Sequence, residues 1–147
     1  MKKLVLIDGM AAVYRGYYAL NRNPRINSRG LNTSAILGFT MGLYDMLRSQ
    51  RPTHIGVAFD PHGPTFRSEA FPEYKAQREE TPEDIRKAVP IIKDLLRAYR
   101  IPILQVDGFE ADDVIGTLAK KSGSIGVETY MLTPDKDYGQ LVSDNVK

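Results

Sequence analysis

The sequence predicts an α/β fold with an open, mostly parallel central sheet flanked by helices. Short apolar runs alternate along the chain with stretches of helical periodicity, a pattern typical of parallel strands joined by helical crossovers. The apolar runs are continuous, which indicates strands that are buried on both faces. A chain of 147 residues, 42% hydrophobic and 26% charged, suits one globular domain.

The first elements are a strand, a loop and a helix. Leu4–Ile7 is an apolar run closed by Asp8, so it predicts the first strand. Residues 21–32 collect Asn, Pro, Ser and Gly, which predicts a loop. After Thr33 the apolar residues recur at helical spacing, and we expect that helix to end before Pro52.

The middle of the chain predicts a strand, an irregular segment and a second helix. The apolar run His54–Phe59 ends at an aspartate, Asp60, as the first strand does. Residues 61–81 contain three prolines with aromatic and charged residues, and we interpret them as a functional loop. Thr81 is expected to cap the next helix, and Pro90 predicts a kink or a two-part helix.

The last part of the chain repeats the alternation. Ile101–Val106 predicts a third strand, Asp112–Lys121 a short helix, and Thr129–Leu132 a fourth strand. The fourth strand is again followed by aspartates, at Asp135 and Asp137. Strand ends followed by acids are therefore a recurring feature of this sequence.

Composition excludes several classes of site. The chain has no cysteine, so disulfides, thiolate nucleophiles and cysteine-based metal sites are excluded, and a reducing cytoplasm is the expected location. We interpret His54 and His62 as structural, which leaves oxygen ligands for any metal and favours Mg²⁺ or Mn²⁺. The apolar stretch after Met1 is too short for a signal peptide or a membrane span.

The acids predict a metal site. In open α/β sheets, ligands bind beyond the carboxyl ends of the strands. A cluster of carboxylates without a counter-charge would be repulsive, so it makes sense as a cage for divalent cations. Each acid alone also fits a turn or a helix cap, but their recurrence on one edge favours the metal. The candidates are Asp8, Asp60, Glu110, Asp112, Asp113, Asp135 and Asp137.

Basic and aromatic residues near the first strand suggest contacts to nucleic acid. The net charge is only +2, so such contacts depend on local placement. Tyr14, Arg15 and further arginines and tyrosines between Asp8 and Asp45 could meet phosphates and unstacked bases. The alternative is a solvated loop with core tyrosines. We favour a functional role for Arg15, because it follows Asp8 closely.

An ordered set of motifs resembles the 5′-nuclease domain of bacterial DNA polymerase I. The motifs are Leu6–Gly9, Tyr14–Arg15, Ala58–Asp60, Thr65–Arg67, Glu73–Arg78, Gly108–Asp113, Thr133–Asp137 and Gln140–Leu141. The set spans essentially the whole chain and is more specific than the acids shared by PIN-like nucleases. The resemblance implies a PIN-like, resolvase-like core. It also implies a flap endonuclease and 5′-3′ exonuclease with two Mg²⁺ or Mn²⁺ ions, acting on DNA 5′ ends, flaps and primer RNA in replication and repair.

The resemblance also implies roles for individual residues. It makes Asp8, Asp60, Glu110 and Asp112 ligands of the tighter metal, with Asp113, Asp135 and Asp137 serving the second. Lys75 and Arg78 would face the scissile phosphate from an arch. The residues implied to bind DNA are Tyr14, Arg15, Arg67, Phe71 and Tyr74.

The same resemblance sets an expectation for domain organisation. Residues 1–147 would be the N-terminal part of a 5′-nuclease domain that is truncated before a helical, duplex-binding subdomain, with a polymerase domain in the same parent chain. Two alternatives stay open: a PIN-like ribonuclease that acts on single-stranded RNA, and a catalytically weak DNA-binding fragment.

Overall fold

A computed structural model describes residues 2–61, 81–133, 142–143 and 145–147. Within these residues the order of strands and helices is the predicted one, with one additional helix after the first strand. In chain order they are β1 (Lys3–Asp8), α1 (Gly9–Ala19), α2 (Ser34–Gln50), β2 (His54–Ala58), α3 (Glu83–Ala98), β3 (Ile103–Leu104), α4 (Ala111–Ser124) and β4 (Glu128–Leu132).

The described strands form one parallel sheet in the order β3-β2-β1-β4. The chain moves from β1 through β2 to β3, and then returns across the sheet to β4. Right-handed crossovers that travel in opposite directions must lie on opposite faces. Accordingly, α1, α2 and α3 cover one face and α4 covers the other. The predicted α/β class and parallel sheet are confirmed.

The central strand β1 is buried on both faces, which explains its continuous apolar run. Val5 and Ile7 pack into the larger core with α1, α2 and α3. Leu6, between them in sequence, packs into the second core with α4. Because side chains alternate along a strand, both faces need apolar residues when both are covered.

Helix α1 was not predicted, and its glycines explain why. Gly9 and Gly16 lower helix propensity within a stretch of only eleven residues. The structure shows what Gly16 contributes instead: a Cβ atom there would stand 2.5 Å from the Phe39 backbone nitrogen of α2. The two helices cross in close backbone contact, so tertiary packing outweighs the local propensity.

Other boundaries differ from the sequence predictions. The third strand was predicted as Ile101–Val106, but β3 has two residues. Among the described residues it pairs with Val57 and Ala58 of β2 alone. Helix α3 is one continuous helix through Pro90, so the two-part alternative is wrong, and its N-cap is Pro82 rather than Thr81. Among the described residues, no helix is long and apolar enough to cross a membrane.

Candidate functional site

Asp8 lies at the carboxyl end of the central strand. It is the last residue of β1, opposite Ala58 of β2, and its Oδ1 accepts a hydrogen bond of 3.2 Å from the Ala11 backbone nitrogen in α1. Gly9 lets this turn lie against the end of β2, since a Cβ there would stand 2.7 Å from the Phe59 ring. The first strand end is therefore packed directly against the second.

Asp60 joins the end of β2 to the start of α4. It is exposed and lies two residues beyond β2, and its Oδ1 accepts a hydrogen bond of 2.8 Å from the backbone nitrogen of Ala111. That bond spans 51 residues of sequence. It brings the acid after the second strand to the N-terminus of α4, where three further predicted acids lie.

The N-terminus of α4 carries Glu110, Asp112 and Asp113. Glu110 is the N-cap and only 5% exposed, and its backbone nitrogen donates to Asp113 Oδ2 at 3.1 Å. Asp112 and Asp113 are half-buried in the first turn. Unpaired N–H groups at a helix N-terminus stabilise carboxylates, which explains how several acids can share this position.

These acids form the acid rim, defined as Asp8, Asp60, Glu110, Asp112 and Asp113. Within the part of the chain that the structure describes, no three acids or histidines are arranged as a closed metal cage. Asp8, Asp60 and Asp113 instead accept hydrogen bonds from backbone N–H groups. Their oxygen-only donor set and shared edge fit a hard divalent cation.

Several predicted site residues lie outside the described residues. They are Arg67, Phe71, Tyr74, Lys75, Arg78, Asp135 and Asp137.

Tyr14 and Arg15 both lie on α1 but differ in exposure. Tyr14 packs partly against the larger core, and its ring stacks with that of Tyr18 at a centroid distance of 6.3 Å. Arg15 is exposed. The guanidinium of Arg15 is thus open to a ligand, whereas much of Tyr14 is used for packing.

A polar contact that sequence reasoning missed ties α1 to the start of α3. Tyr17 donates its hydroxyl hydrogen to Asp84 Oδ2 at 3.1 Å, and the Asn32 amide nitrogen donates to the same oxygen at 3.3 Å. Burial and then the bond to Asp84 raise the pKa of Tyr17. Because Tyr17, Asn32 and Asp84 are far apart in the sequence, no local sequence pattern predicts this contact.

Lys93 is a second feature that the sequence did not reveal. It lies on α3, is only 9% exposed, and donates to the Gln105 side-chain oxygen at 3.0 Å. Its Nζ also lies 4.9 Å from the centre of the Phe59 ring. Burial, and then the charge of Arg97, lower the pKa of Lys93. A lysine in an amphipathic helix is normally expected on the exposed face.

Comparison with protein families agrees with this arrangement. The family described as "5'-3' exonuclease, N-terminal resolvase-like domain" matches residues 3–147. The chain belongs to this family. It is 47% identical over 146 residues to DNA polymerase I of Bacillus caldotenax, covering 99% of this chain and 16% of that protein.

Two further relatives show how far the similarity extends. The chain is 40% identical to a 5'-3' exonuclease of Aquifex aeolicus, covering 99% of this chain and 50% of that protein. The fold is shared with a bacteriophage T5 flap endonuclease, solved in a pseudo-enzyme–product complex with DNA and metal ions. That match has a TM-score of 0.65 and 21% identity, and it covers 99% of this chain and 53% of the other. The chain thus spans between 16% and 53% of the length of these three proteins.

Proposed function

We propose that this chain hydrolyses DNA phosphodiesters at 5′ ends and 5′ flaps with the help of divalent metal ions. The observation that carries the proposal is the bond from Ala111 to Asp60. It brings the acids of two chain segments together beside Asp8, at the sheet edge where α/β folds bind ligands. Membership of the 5′-3′ exonuclease family supports the reaction type.

The acid rim supplies the ligands in this proposal. Asp8, Asp60, Glu110 and Asp112 hold one Mg²⁺ or Mn²⁺ ion. Asp113, with Asp135 and Asp137 from outside the described residues, serves a second. When bound, such ions supply charge neutralisation and polarisation of the phosphodiester.

The other predicted residues act on the DNA. Lys75 and Arg78 stabilise the negative charge that builds on the phosphoryl oxygens. Phe71 and Tyr74 stack on bases, while Tyr14, Arg15 and Arg67 contact the displaced strand. These assignments rest on the motifs, and all but Tyr14 and Arg15 lie outside the described residues.

We infer the biological setting from the relatives. Similarity to DNA polymerase I supports a role in replication and repair, with a polymerase domain as covalent partner and primer RNA on DNA as one substrate. The proposed location is the cytoplasm, whose reducing conditions suit a chain without cysteine.

The sharpest test replaces Asp60 by asparagine. Asp60→Asn keeps an oxygen that can accept the bond from Ala111 and removes the charge that a cation needs. We expect Mn²⁺ or Mg²⁺ to raise the melting temperature of the parent chain. At a metal concentration of 100 times Kd, the free energy of unfolding should increase by about 2.7 kcal/mol. The same titration should leave the melting temperature of Asp60→Asn unchanged, and this variant should no longer cleave a 5′ flap.

Asp45→Asn is the matched control, since Asp45 is an exposed carboxylate on α2. Metal should raise the melting temperature of Asp45→Asn as much as that of the parent. Equal responses of Asp60→Asn and the parent would contradict the metal site. A parent chain with no saturable response would support the DNA-binding alternative, and preferential cleavage of single-stranded RNA would support a PIN-like ribonuclease.

A further inference from the structure

An open pocket lies beside the edge strand β3, and none of its lining residues belongs to the acid rim. Its volume is about 630 Å³, and it is lined by Arg97, Arg100, Ile101, Pro102, Ile103 and Gln105. Ile101, Pro102 and Ile103 form the apolar part of the wall. The polar side chains that line the pocket are two arginines and one glutamine. Which ligand the pocket can bind depends on the donors and acceptors of these three side chains.

The orientation of Gln105 is fixed by Lys93. A lysine ammonium can only donate hydrogen bonds, so the atom of Gln105 that it contacts at 3.0 Å must be the amide oxygen. This uses the acceptor of Gln105 and leaves its NH₂ group, which has two donors, for a ligand. In the part of the chain that the structure describes, no protein group accepts from that NH₂ group.

The two arginines add further donors and positive charge. Arg97 pairs with Asp94 at 3.0 Å, but both side chains are well exposed, so this pair holds Arg97 only weakly. Among the described residues, no carboxylate lies within ion-pair distance of Arg100 or Lys93. The carbonyl oxygen of Pro102 in the wall is already engaged, since it accepts a hydrogen bond from the Val57 backbone nitrogen at 3.0 Å.

We propose that this pocket, named here the donor pocket, binds a phosphate group. A site whose polar side chains only donate, and which is positively charged, is complementary to a group that only accepts and is negatively charged. Guanidinium groups are well suited to phosphate oxygens. That the phosphate comes from the DNA backbone rests on the proposed function, whereas the chemistry of the pocket does not.

The backbone at Arg100 allows a clean test. Arg100 follows the end of α3 with φ at 59°, in the left-handed region that favours glycine. Arg100→Gly therefore removes the guanidinium without straining the fold. Arg51 is a matched control: it caps α2 with φ at 46° and does not line the pocket.

The first experiment titrates inorganic phosphate into the metal-free protein in EDTA and follows side-chain N–H signals by NMR. We expect saturable shifts of the Gln105 NH₂ group and of the Arg97 and Arg100 guanidinium groups. Arg100→Gly should abolish the Gln105 shift, and Arg51→Gly should keep it. Shifts that grow without saturation, or that survive in Arg100→Gly, would overturn the proposal.

The second experiment measures binding of a blunt DNA duplex, again in EDTA. If the DNA backbone occupies the pocket, Arg100→Gly weakens binding roughly 3- to 10-fold and reduces the salt slope by about 1, while Arg51→Gly does neither. Saturable phosphate shifts with unchanged duplex affinity would assign the pocket to free phosphate. If neither the phosphate titration nor the duplex measurement gives the expected result, the donor pocket is overturned. The proposed metal site at the acid rim is not affected by that outcome, because both experiments are done without metal.

A second variant guards against misfolding. Gln105→Glu gives buried Lys93 a carboxylate partner, so the fold should be retained or stabilised. It also replaces the NH₂ donors by an acceptor and adds a negative charge to the pocket. We expect phosphate and duplex binding to fall at least as far as in Arg100→Gly. Unchanged binding in this folded variant would count against the donor pocket.

Discussion

The acid rim and the donor pocket share no residue, and they offer a ligand opposite halves of a hydrogen bond. The rim presents carboxylate oxygens, which only accept, and the pocket presents guanidinium and amide N–H groups, which only donate. The rim therefore suits cations, and the pocket suits anions. A substrate that carries many phosphates could engage the pocket directly but the rim only through cations.

The two regions also differ in what holds their side chains. Asp8 and Asp60 are oriented by backbone N–H groups at the N-termini of α1 and α4. Gln105 is oriented by a single buried side chain, Lys93. Every substitution except proline keeps a backbone N–H donor, whereas any change of Lys93 removes its ammonium group. The donor pocket should therefore be the easier of the two to disorganise by mutation.

The largest expected effect tests whether the rim needs protein cations as well as metal ions. In a form of the protein that cleaves flaps, Lys75→Ala should lower single-turnover flap cleavage by on the order of 10²-fold or more, with a much smaller change in DNA affinity. The reason is that Lys75 would stabilise charge that develops during the reaction. Rapid-quench kinetics and a separate binding measurement distinguish the two quantities.

Arg78→Ala should behave like Lys75→Ala, and the double variant should lose less than the sum of the two if they act together. Lys120→Ala, which changes an exposed lysine near the C-terminal end of α4, serves as the control and should change the rate only a few-fold. A large loss of affinity with an unchanged cleavage rate would make Lys75 and Arg78 phosphate anchors only.

The next effect concerns the structural role of the rim. From the sequence alone, removing Asp60 is expected to relieve repulsion and leave the metal-free protein as stable as the parent or more stable. The bond to Ala111, which is buried, changes that expectation. Asp60→Ala should lose about 0.5–2 kcal/mol, as for a lost helix cap, and Asp60→Asn should lose less. Metal-free urea denaturation of the two variants compares them, and equal stabilities would contradict the cap.

The sequence predicted the rim better than the pocket for a physical reason. An apolar run that stops at an aspartate marks a strand end locally, and parallel strands bring their ends to one edge, so Asp8 and Asp60 could be placed from sequence. The pocket depends on Lys93 being buried and on Gln105 turning to meet it. Neither residue carries a local pattern that distinguishes it from an ordinary surface residue.

Helix α1 shows the same limit within the fold. Its glycines argue against a helix locally, yet Gly16 is needed where α1 crosses α2 near Phe39. Local propensity could not predict this element, because the contact that favours it is made with residues more than twenty positions away. The acid at its start, Asp8, was nevertheless placed correctly at a strand end, since its position depends on β1 alone.

A smaller effect is expected when Lys93 is replaced. Lys93→Met fills a similar volume without a buried charge, so at neutral pH stability should be unchanged or higher. Because burial lowers the pKa of Lys93 in the folded state, the folded protein binds fewer protons than the unfolded chain. Parent stability should therefore rise with pH, between the lowered folded pKa and the unfolded value of about 10.4.

Lys93→Met should lack that rise, so its advantage over the parent shrinks at high pH. Denaturation curves across this range measure the difference. The variant should also weaken phosphate binding at the donor pocket, because Gln105 is no longer held by its oxygen. Parallel pH dependence of the two proteins would mean that Lys93 does not titrate differently on folding.

The smallest expected effect is on stability when Arg100 is replaced by glycine. A left-handed backbone is strained for arginine but not for glycine, while glycine loses more conformational entropy on folding. The relief of backbone strain and the extra loss of entropy nearly cancel. Arg100→Gly should therefore raise the free energy of unfolding slightly, by no more than about 1 kcal/mol. Arg51→Gly should change the stability equally, because Arg51 has the same left-handed backbone conformation.

Urea denaturation of both variants without phosphate gives the comparison. A pair that matches in stability but differs in phosphate binding would mean that Arg100 serves the pocket rather than the helix end. A loss of several kcal/mol in Arg100→Gly alone would instead show that its side chain holds the end of α3 in place.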